Sequence, residues 1–463
     1  MSTTTDTGLP TEIFKAYDIR GIVGKTLTTG TAEQIGLAIG SEAAARKQTS
    51  VAISRDGRLS GPELVAALGR GIAAAGIDVI DIGMVPTPVL YYATNELGTA
   101  SGVAVTGSHN PPDYNGFKIV LGGETLSGDE IQALRQRIVD GDLTHGNGSI
   151  RHADVRDAYI ERIVSDVKLA RPMKVALDCG NGVAGELGPR LLRALGCELT
   201  ELFCEIDGHF PNHHPDPSQP KNLQDLMAEL AKGGYDVGLA FDGDGDRLGV
   251  VTPDGQIIWP DRQLILFARA VLASNPGAEV IYDVKCTRTL PKEIEAAGGK
   301  ALMWKTGHSF IKKKLKETGA LLAGEMSGHI FFKDRWYGFD DGLYAAARLL
   351  ELLSADPRSP EEVFSSLPNT INTPELQMKF AEGEHFQVVE KLVQAADFPG
   401  AKITTIDGLR ADFDDGFGLV RASNTTPVLV LRFEGDDEAA LKRIQQAFAD
   451  LIRKVAPEAT LPY

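Results

Sequence analysis

The chain has 463 residues, 43% of them hydrophobic and 24% charged, which is the composition of an ordinary soluble globular protein with apolar material for several cores. At roughly 150 residues per domain, the length suits about three domains, with two or four also in range. The 63 acidic and 47 basic side chains leave a net charge of −16, which argues against a general nucleic-acid binder or a protein held on an anionic membrane. No apolar run reaches the ~18 residues that a membrane span needs. Residues 1–10 lack the basic-then-apolar layout of a signal peptide. Cys179, Cys197, Cys204 and Cys286 form no Cys-x-x-Cys pair. A cytoplasmic location with reduced, buried or incidental thiols is therefore expected.

In chain order, the dominant feature is a unit written three times. The first copy opens with the strand-like run Val51-Ala52-Ile53-Ser54. A helix-patterned stretch from Glu63 to Ala75 follows, stopped by Gly76. After the strand at Val79-Ile80 comes a later apolar run, Gly102 to Val105, which opens into a polar loop at Thr106. The second copy begins at Lys174-Val175-Ala176-Leu177, has a helix from Gly188 to Leu195 stopped by Gly196, and ends in Val237 to Phe241 opening into Asp242. The third begins at Val280-Ile281-Tyr282, passes Gly298-Gly299, and reaches Leu321-Leu322-Ala323 opening into Gly324-Glu325. Short apolar strands alternating with Gly-terminated helices indicate α/β units whose sheets are buried on both faces. Ligands of such sheets gather beyond the carboxyl ends of the strands, so the three polar loops could share one cleft.

After about Pro368 the pattern changes. Ile403 to Phe413 and Leu419 to Phe433 read as strands, and Glu438 to Val455 reads as an amphipathic helix. This predicts a smaller α+β domain with an antiparallel sheet. The expected division is 1–153, 154–256 and 257–368 for the α/β domains, and 369–463 for the tail.

Four loops carry the candidate chemistry. In Thr106-Gly107-Ser108-His109-Asn110-Pro111-Pro112, Gly107 frees the backbone and Asn110-Pro111 fixes a turn, exposing the Ser108 hydroxyl as a nucleophile or phosphoryl carrier. A lone loop serine is more often a turn or cap residue.

Asp242-Gly243-Asp244-Gly245-Asp246-Arg247 is the stronger signal. Three carboxylates alternating with glycines after an apolar strand can turn inward on one hard cation, which removes their mutual repulsion. An EF-hand loop would need Gly at its sixth position and Glu at its twelfth, where Arg247 and Pro253 stand.

Gly324-Glu325-Met326-Ser327-Gly328-His329 offers an acceptor and a donor/acceptor two residues apart, suited to paired sugar hydroxyls. In the tail, Arg421-Ala422-Ser423-Asn424-Thr425 offers a guanidinium fork and several donors for a phosphate. Tyr17 and Arg20, Lys118 in Asn115-Gly116-Phe117-Lys118, Lys285, and His308 after Gly307 lie near strand ends. His213-His214 is set aside as a zinc site, because no further Cys/His spacing supports it. The run Lys312-Lys313-Lys314 with Lys316 reads as one solvated helix face.

Together these loops resemble the α-D-phosphohexomutase superfamily, in its bacterial phosphomannomutase/phosphoglucomutase branch. The Ser108 loop is similar to the phosphoserine signature, Asp242 to Arg247 to the metal loop, and Gly-Glu-Met-Ser-Gly-His to the sugar loop of that branch. The likeness runs from Tyr17 to the Arg421 loop. It implies three similar mixed-sheet α/β domains plus a C-terminal α+β domain around one central active-site cleft. It further implies a reversible isomerase that moves phosphate between the 1- and 6-positions of mannose and glucose, through a phosphoserine and a 1,6-bisphosphosugar. Such an enzyme supplies sugar-nucleotide precursors for exopolysaccharide and lipopolysaccharide synthesis.

Carried over by position, the resemblance gives one Mg²⁺ held by Asp242, Asp244, Asp246 and phosphorylated Ser108, with glucose 1,6-bisphosphate as activator. Lys118, Arg20 and His109 would surround the phosphoserine, with Lys118 or His329 as proton-transfer groups and Arg247 beside them. Glu325, Met326, Ser327 and Gly328 would form the sugar loop, with Lys285 and His308 nearby. Tyr17, Arg421, Ala422, Ser423, Asn424 and Thr425 would form the phosphate clamp. A monomer acting on hexose phosphates, without nucleic-acid or membrane partners, is expected. The alternative is a haloacid-dehalogenase-type phosphotransferase with Asp242 as nucleophile.

Overall fold

The computed structural model describes residues 9–381, 383–424 and 426–463, so Thr425 lies outside the described residues. Three modules repeat one sheet topology. In the first, Ser50–Arg55 is central, with Asp78–Met84 and Gly102–Val105 parallel on either side. Tyr114–Leu121 then returns antiparallel beside Gly102–Val105. The second repeats this with Lys174–Asp178 between Glu198–Leu202 and Val237–Phe241, and Leu248–Val251 returning. The third has Glu279–Asp283 between Lys300–Trp304 and Leu322–Gly324, with Ile330–Phe332 returning. The first sheet is extended by Ile19–Ile22 beside Tyr114–Leu121 and by Ile150–His152 beside Asp78–Met84.

These are the expected mixed-sheet α/β units. Gly102–Val105 and Val237–Phe241 are buried at every position, as continuous apolar strands covered on both faces should be. The helix preceding the second strand of each module is stopped in the same way: Gly76, Gly196 and Gly298 take φ of +88°, +92° and +82°, a left-handed turn that favours glycine. The consequence for the site is topological. In every module, the segment joining the last parallel strand to its antiparallel return lies at one sheet edge, and these segments are residues 106–113, 242–247 and 325–329.

The tail is an antiparallel sheet in the order Ile371–Asn372, Val428–Gly435, Gly416–Ala422, Leu409–Phe413, Lys402–Thr404, with Leu376–Lys379 also on Val428–Gly435. Helices Glu384–Ala395 and Glu438–Val455 pack on it through Leu392, Phe448 and Ile452. The two long strands expected over 403–413 and 419–433 are each a hairpin. Gly408 turns the first at φ +84°, tight against the Val420 carbonyl, and the second is the antiparallel pair Gly416–Ala422 and Val428–Gly435. An alternating apolar pattern continues across a tight turn, so pattern alone does not locate the break.

A single hydrophobic core runs through the first three units, joining Val89, Leu177, Leu264 and Leu350, whereas the tail has its own. The tail is held to the third unit by a small apolar cluster of Val284, Phe417 and Leu419 and by buried arginines. Arg410 donates to the carbonyls of Val284 (2.6 Å) and Cys286 (2.8 Å), with its guanidinium 3.8 Å from the Phe417 ring centre. Arg432 donates to Asp261 at 3.0 Å and to the Lys285 carbonyl.

The second and third units meet at Asp341. Its carboxylate caps helix Gly342–Ala355 by accepting from Tyr344 N at 2.9 Å, and accepts from the Tyr159 hydroxyl at 2.9 Å. Burial pushes this carboxyl up to about 7. Between its ordinary value of 3.8 and about 7, the folded protein therefore holds a proton that the unfolded chain has released, and stability falls as pH rises through that window. The unfolding midpoint of Asp341→Asn relative to wild type should accordingly shift in the variant's favour between pH 4 and pH 8, by at most about 4 kcal/mol. Paired melts across pH check this; a difference that does not change with pH contradicts it.

Candidate active site

Ser108 is 1% exposed, so its hydroxyl is not presented to solvent but turned onto the second module. Its Oγ donates to Asp242 Oδ2 at 3.0 Å and lies 3.2 Å from His109 Nδ1. The serine itself, rather than Gly107, takes the left-handed conformation, at φ +47°. Such a backbone is kept only when its surroundings over-determine it, and here Arg58 does so. Its fully buried guanidinium donates to the carbonyls of Ser108 (2.9 Å), Asn110 (2.6 Å), Pro111 (2.5 Å) and Tyr114 (2.9 Å). Gly107 is required for space, since a Cβ there would run into that guanidinium. Asp56 ties the loop from behind, accepting from Thr106 Oγ1 (2.8 Å) and Gly107 N (3.1 Å).

Asp242, Asp244 and Asp246 are all 0% exposed, with ligand oxygens within 4.8 Å of one another. Lys118 projects between them from strand Tyr114–Leu121, donating to Asp244 (2.7 Å) and Asp246 (2.5 Å). Burial would lower the lysine, but the carboxylates hold it above its usual range. Burial and the neighbouring carboxylates push Asp242 and Asp246 up, while Lys118 outweighs burial and holds Asp244 down. Among the described residues, Asp244 Oδ1 and Asp246 Oδ1 have no hydrogen-bond partner. Buried oxygens left over after one lysine has paired are what a hard divalent cation would take, so the donor set fits such an ion.

Arg247 joins the second loop to the third. Its Nε donates to His329 Nε2 at 3.0 Å, which puts the imidazole proton on Nδ1, 3.0 Å from Asp340 Oδ2. Glu325 accepts from Gly307 N at 2.6 Å, and its other oxygen has no partner among the described residues. Burial pushes this carboxyl up to about 7. His308 stacks on His329 with ring centres 5.6 Å apart, and burial, then Lys312, holds it neutral. His109 is likewise held well below its usual range by burial, then by Arg247 and Arg20.

The tail closes the site. Arg421 donates to Asp407 at 3.1 Å and keeps Nη2 without a partner among the described residues. Asn424 donates at 2.5 Å to the Tyr17 hydroxyl, which itself donates to the Thr306 carbonyl at 2.9 Å. Ser423 lies on the same wall, its hydroxyl 3.2 Å from Thr426 Oγ1. Lys285 is paired with Glu375 at 2.7 Å, and Arg20 with Asp18 and Asn110.

One cavity of about 640 Å³ is walled by Tyr17, Arg20, Ser108, His109, Lys118 and Arg247, by Lys285, His308, Glu325, Met326, Ser327 and His329, and by Arg421, Ser423 and Asn424. All four units contribute. The three aspartates lie beneath its floor, Gly328 supplies a turn at φ +105°, and Ala422 faces the tail's own core.

Reading the sequence missed Arg58, Thr87, Asp340, Glu375 and Asp407. Of these, only Arg58 stood at a strand end of the repeat, where it could have been suspected. The lysine run is not one solvated face. The Lys312 side chain is only 8% exposed, donates to Asp340 at 2.9 Å and sits 4.0 Å above the Tyr91 ring, while Lys314 lies over Trp304. Helical spacing alone turns only part of such a run to solvent. His213 pairs with Asp178 at 2.9 Å and His214 with the His109 carbonyl, and neither belongs to a metal-ligand cluster among the described residues.

Four family models match in succession, described as phosphoglucomutase/phosphomannomutase α/β/α domains I, II and III and C-terminal domain, over residues 11–145, 157–255, 259–371 and 375–451. The chain belongs to the phosphoglucomutase/phosphomannomutase family. It is 58% identical to a phosphomannomutase/phosphoglucomutase of Pseudomonas aeruginosa over 100% of both chains. It is 60% identical to a phosphoglucomutase of Neisseria gonorrhoeae, covering 95% of this chain and 96% of that one. The crystal structure of a family protein from Burkholderia thailandensis superposes with a TM-score of 0.94 at 58% identity, over 98% and 100% of the two chains. The protein is thus an isomerase of hexose phosphates. A haloacid-dehalogenase-type assignment is not supported, and Asp242 follows the third strand of its module rather than the first.

Gly243 is the point where the Asp242–Asp246 loop meets the serine loop, and a Cβ there would run into the Ser108 carbonyl oxygen. Gly243→Ala should lower turnover by about 10²-fold or more through displacement of the serine, with the far-UV circular dichroism of the folded protein retained. A folded variant of normal activity would contradict this contact's importance.

Proposed function

We propose that the enzyme interconverts the 1- and 6-phosphates of mannose and glucose, with Ser108 as the phosphoryl carrier and a 1,6-bisphosphosugar as the intermediate. The observation that carries this reading is the Ser108 hydroxyl 3.0 Å from Asp242, on a cavity shared with the Glu325 loop and Arg421. Phosphorylated Ser108 donates to a free sugar hydroxyl. The P–Oγ bond breaks, a bond from phosphorus to the sugar oxygen forms, and the hydroxyl proton passes to a base, for which Lys118 and His329 are the candidates: Lys118 after releasing the proton that Asp244 and Asp246 hold on it, or His329 at Nε2 after Arg247 Nε has turned away. The reverse transfer at the other end of the sugar returns a phosphoryl group to Ser108. Asp242, Asp244 and Asp246, with the seryl phosphate, would hold Mg²⁺, which when bound stabilises charge on the transferring phosphoryl group.

Arg20 and His109 flank the serine, and Arg247 orients His329. Glu325 and Ser327 hold sugar hydroxyls, with Met326 and Gly328 shaping their loop and Lys285 and His308 beside it. Arg421, Ser423, Asn424 and Tyr17 clamp the phosphate that is not reacting, with Ala422 and, by its position in the sequence, Thr425 in the same loop. The clamp reads a phosphate and the glutamate loop reads hydroxyls, so neither needs to know which end of the hexose is presented. Glucose 1,6-bisphosphate would activate by reloading Ser108.

We take the domains as 1–153, 154–256, 257–368 and 369–463. The four units of one chain complete the cavity without a second copy, which supports a monomer. Four unpaired cysteines suit a cytoplasmic protein that feeds sugar-nucleotide and polysaccharide synthesis.

Ser108→Ala should lower turnover by at least ~10³-fold while substrate still binds. Intact mass before and after incubation with glucose 1,6-bisphosphate should change by one phosphoryl group on a Ser108 peptide, and an unmodified serine under all conditions would refute the carrier role. Arg421→Ala should weaken binding by about 1.5–3 kcal/mol, seen as a raised KM. An unchanged KM would remove Arg421 from the clamp.

A further inference from the structure

Two sulfurs outside the active-site cavity stand together. Cys179 follows strand Lys174–Asp178, and Cys204 lies just past its parallel neighbour Glu198–Leu202, with Asp178 opposite Leu202. Phe203 between them takes φ +51°, a bend that brings Cys204 back over the end of the adjacent strand. The Cys204 thiol donates to Cys179 Sγ at 3.5 Å. Cys179 is fully buried and Cys204 only half-buried, so the pair has an inner and an outer sulfur. The backbone on both sides is laced: Cys179 N donates to Leu202 O (3.1 Å), Asn181 N to Phe203 O (2.8 Å), and Asn181 Nδ2 to Glu205 O (2.8 Å). Four residues on, the same loop reaches the metal loop. Val183 N donates to Gly243 O at 3.2 Å, and Gly182 packs on Gly243 so closely that a Cβ would sit 3.0 Å from its carbonyl oxygen.

We propose that Cys179 and Cys204 are an oxidisable dithiol, a modification site for two-electron oxidants of the peroxide class, whose closure to a disulfide restrains the metal loop through Gly182 and Val183. The Cys204 thiolate attacks a peroxide oxygen, the O–O bond breaks, and with hydrogen peroxide one water leaves as sulfenic acid forms on Cys204. The Cys179 sulfur then displaces that oxygen as a second water and the S–S bond forms. Two thiols are oxidised and one peroxide is reduced. A thiol reductant reverses the step by exchange.

The order follows from exposure, and the hydrogen bond from Cys204 together with burial pushes the Cys179 thiol up, leaving Cys204 as the sulfur that meets the oxidant. An S–S bond of about 2.05 Å requires the sulfurs to close from 3.5 Å, and the laced backbone passes part of that movement to residues 182–183. Cys197 and Cys286 lie elsewhere in the fold. Cys286 donates its thiol to Asp283 at 3.0 Å.

The test uses the full-length enzyme treated with hydrogen peroxide, alkylated and mapped without reduction. The expected result is a peptide pair linked through Cys179 and Cys204, with turnover lowered by about tenfold or more and restored by dithiothreitol. Cys204→Ser should show neither the link nor the loss, and Cys197→Ser should show both. A map with sulfinic acid on Cys204 and no Cys179 link would overturn the modification site, and the wild-type map decides this independently of any variant. A fully linked protein with unchanged turnover would overturn the coupling to the metal loop.

Discussion

Three carboxylates within five residues, all removed from water, repel one another, and the surrounding structure is arranged around that repulsion. Each would be pushed towards its protonated form, as Asp242 and Asp246 are, unless positive charge comes within reach. The compensating groups come from other modules: the Lys118 charge and the Thr87 hydroxyl, 2.6 Å from Asp244, from the first, and the neutral His329 Nδ1–H, 3.6 Å from Asp246, from the third. The electrostatic problem of one loop thus becomes a reason for three units to share an edge. Among the described residues, two aspartate oxygens remain unsatisfied, the part of the problem that protein groups leave open and that a hard cation would fit.

Much of this was legible in the sequence for a simple reason. The repeat places each chemically loaded loop at the same topological point, between the last parallel strand and its antiparallel return. An apolar run ending in Gly-rich polar residues marks that point without knowledge of pairing. Ser108, the three aspartates and Glu325 stand at that point, Lys118 follows on the return strand, and Arg421 was read from the separate turn of the tail; one cavity gathers Ser108, the cations and Glu325. The groups that escaped act through tertiary contact alone. Arg58 sits 50 residues from the serine whose carbonyl it holds, and nothing in Asp56-Gly57-Arg58 says which loop will lie over it. Asp340 follows a stretch with no clear period, and its partners Lys312 and His329 approach from a helix and from a different loop. Lys312 was misplaced because charge runs on helices are usually solvated; here the helix packs so that one member of the run faces an aspartate.

The tail is attached by interactions of two unequal kinds, and this inequality bears on how a sugar phosphate could enter, turn and leave. At the back, Arg410 and Arg432 place buried guanidinium groups on the carbonyls of residues 284–286 and on Asp261. Separating them would strand a charge away from water, at a cost of about 3–5 kcal/mol for a broken buried pair. At the mouth, the tail touches the first unit through Asn424 and the Tyr17 hydroxyl, and the third through Thr306 N on Asp407 at 2.9 Å and through the Lys285–Glu375 ion pair at 2.7 Å. The Asn424–Tyr17 bond is neutral and water can replace it at roughly 1 kcal/mol, whereas the contacts to the two carboxylates are worth about 1.5–3 kcal/mol each. With its own apolar core, the tail keeps its packing whichever contacts break. The cheap displacement is therefore a rotation that keeps the segment 284–286 as its pivot and opens the Tyr17 side. Lys285 belongs to that pivot, whereas Arg421 stands on the tail strand Gly416–Ala422, so such a rotation would move Arg421 and leave Lys285 in place. A substrate that has to present first one end and then the other needs this combination.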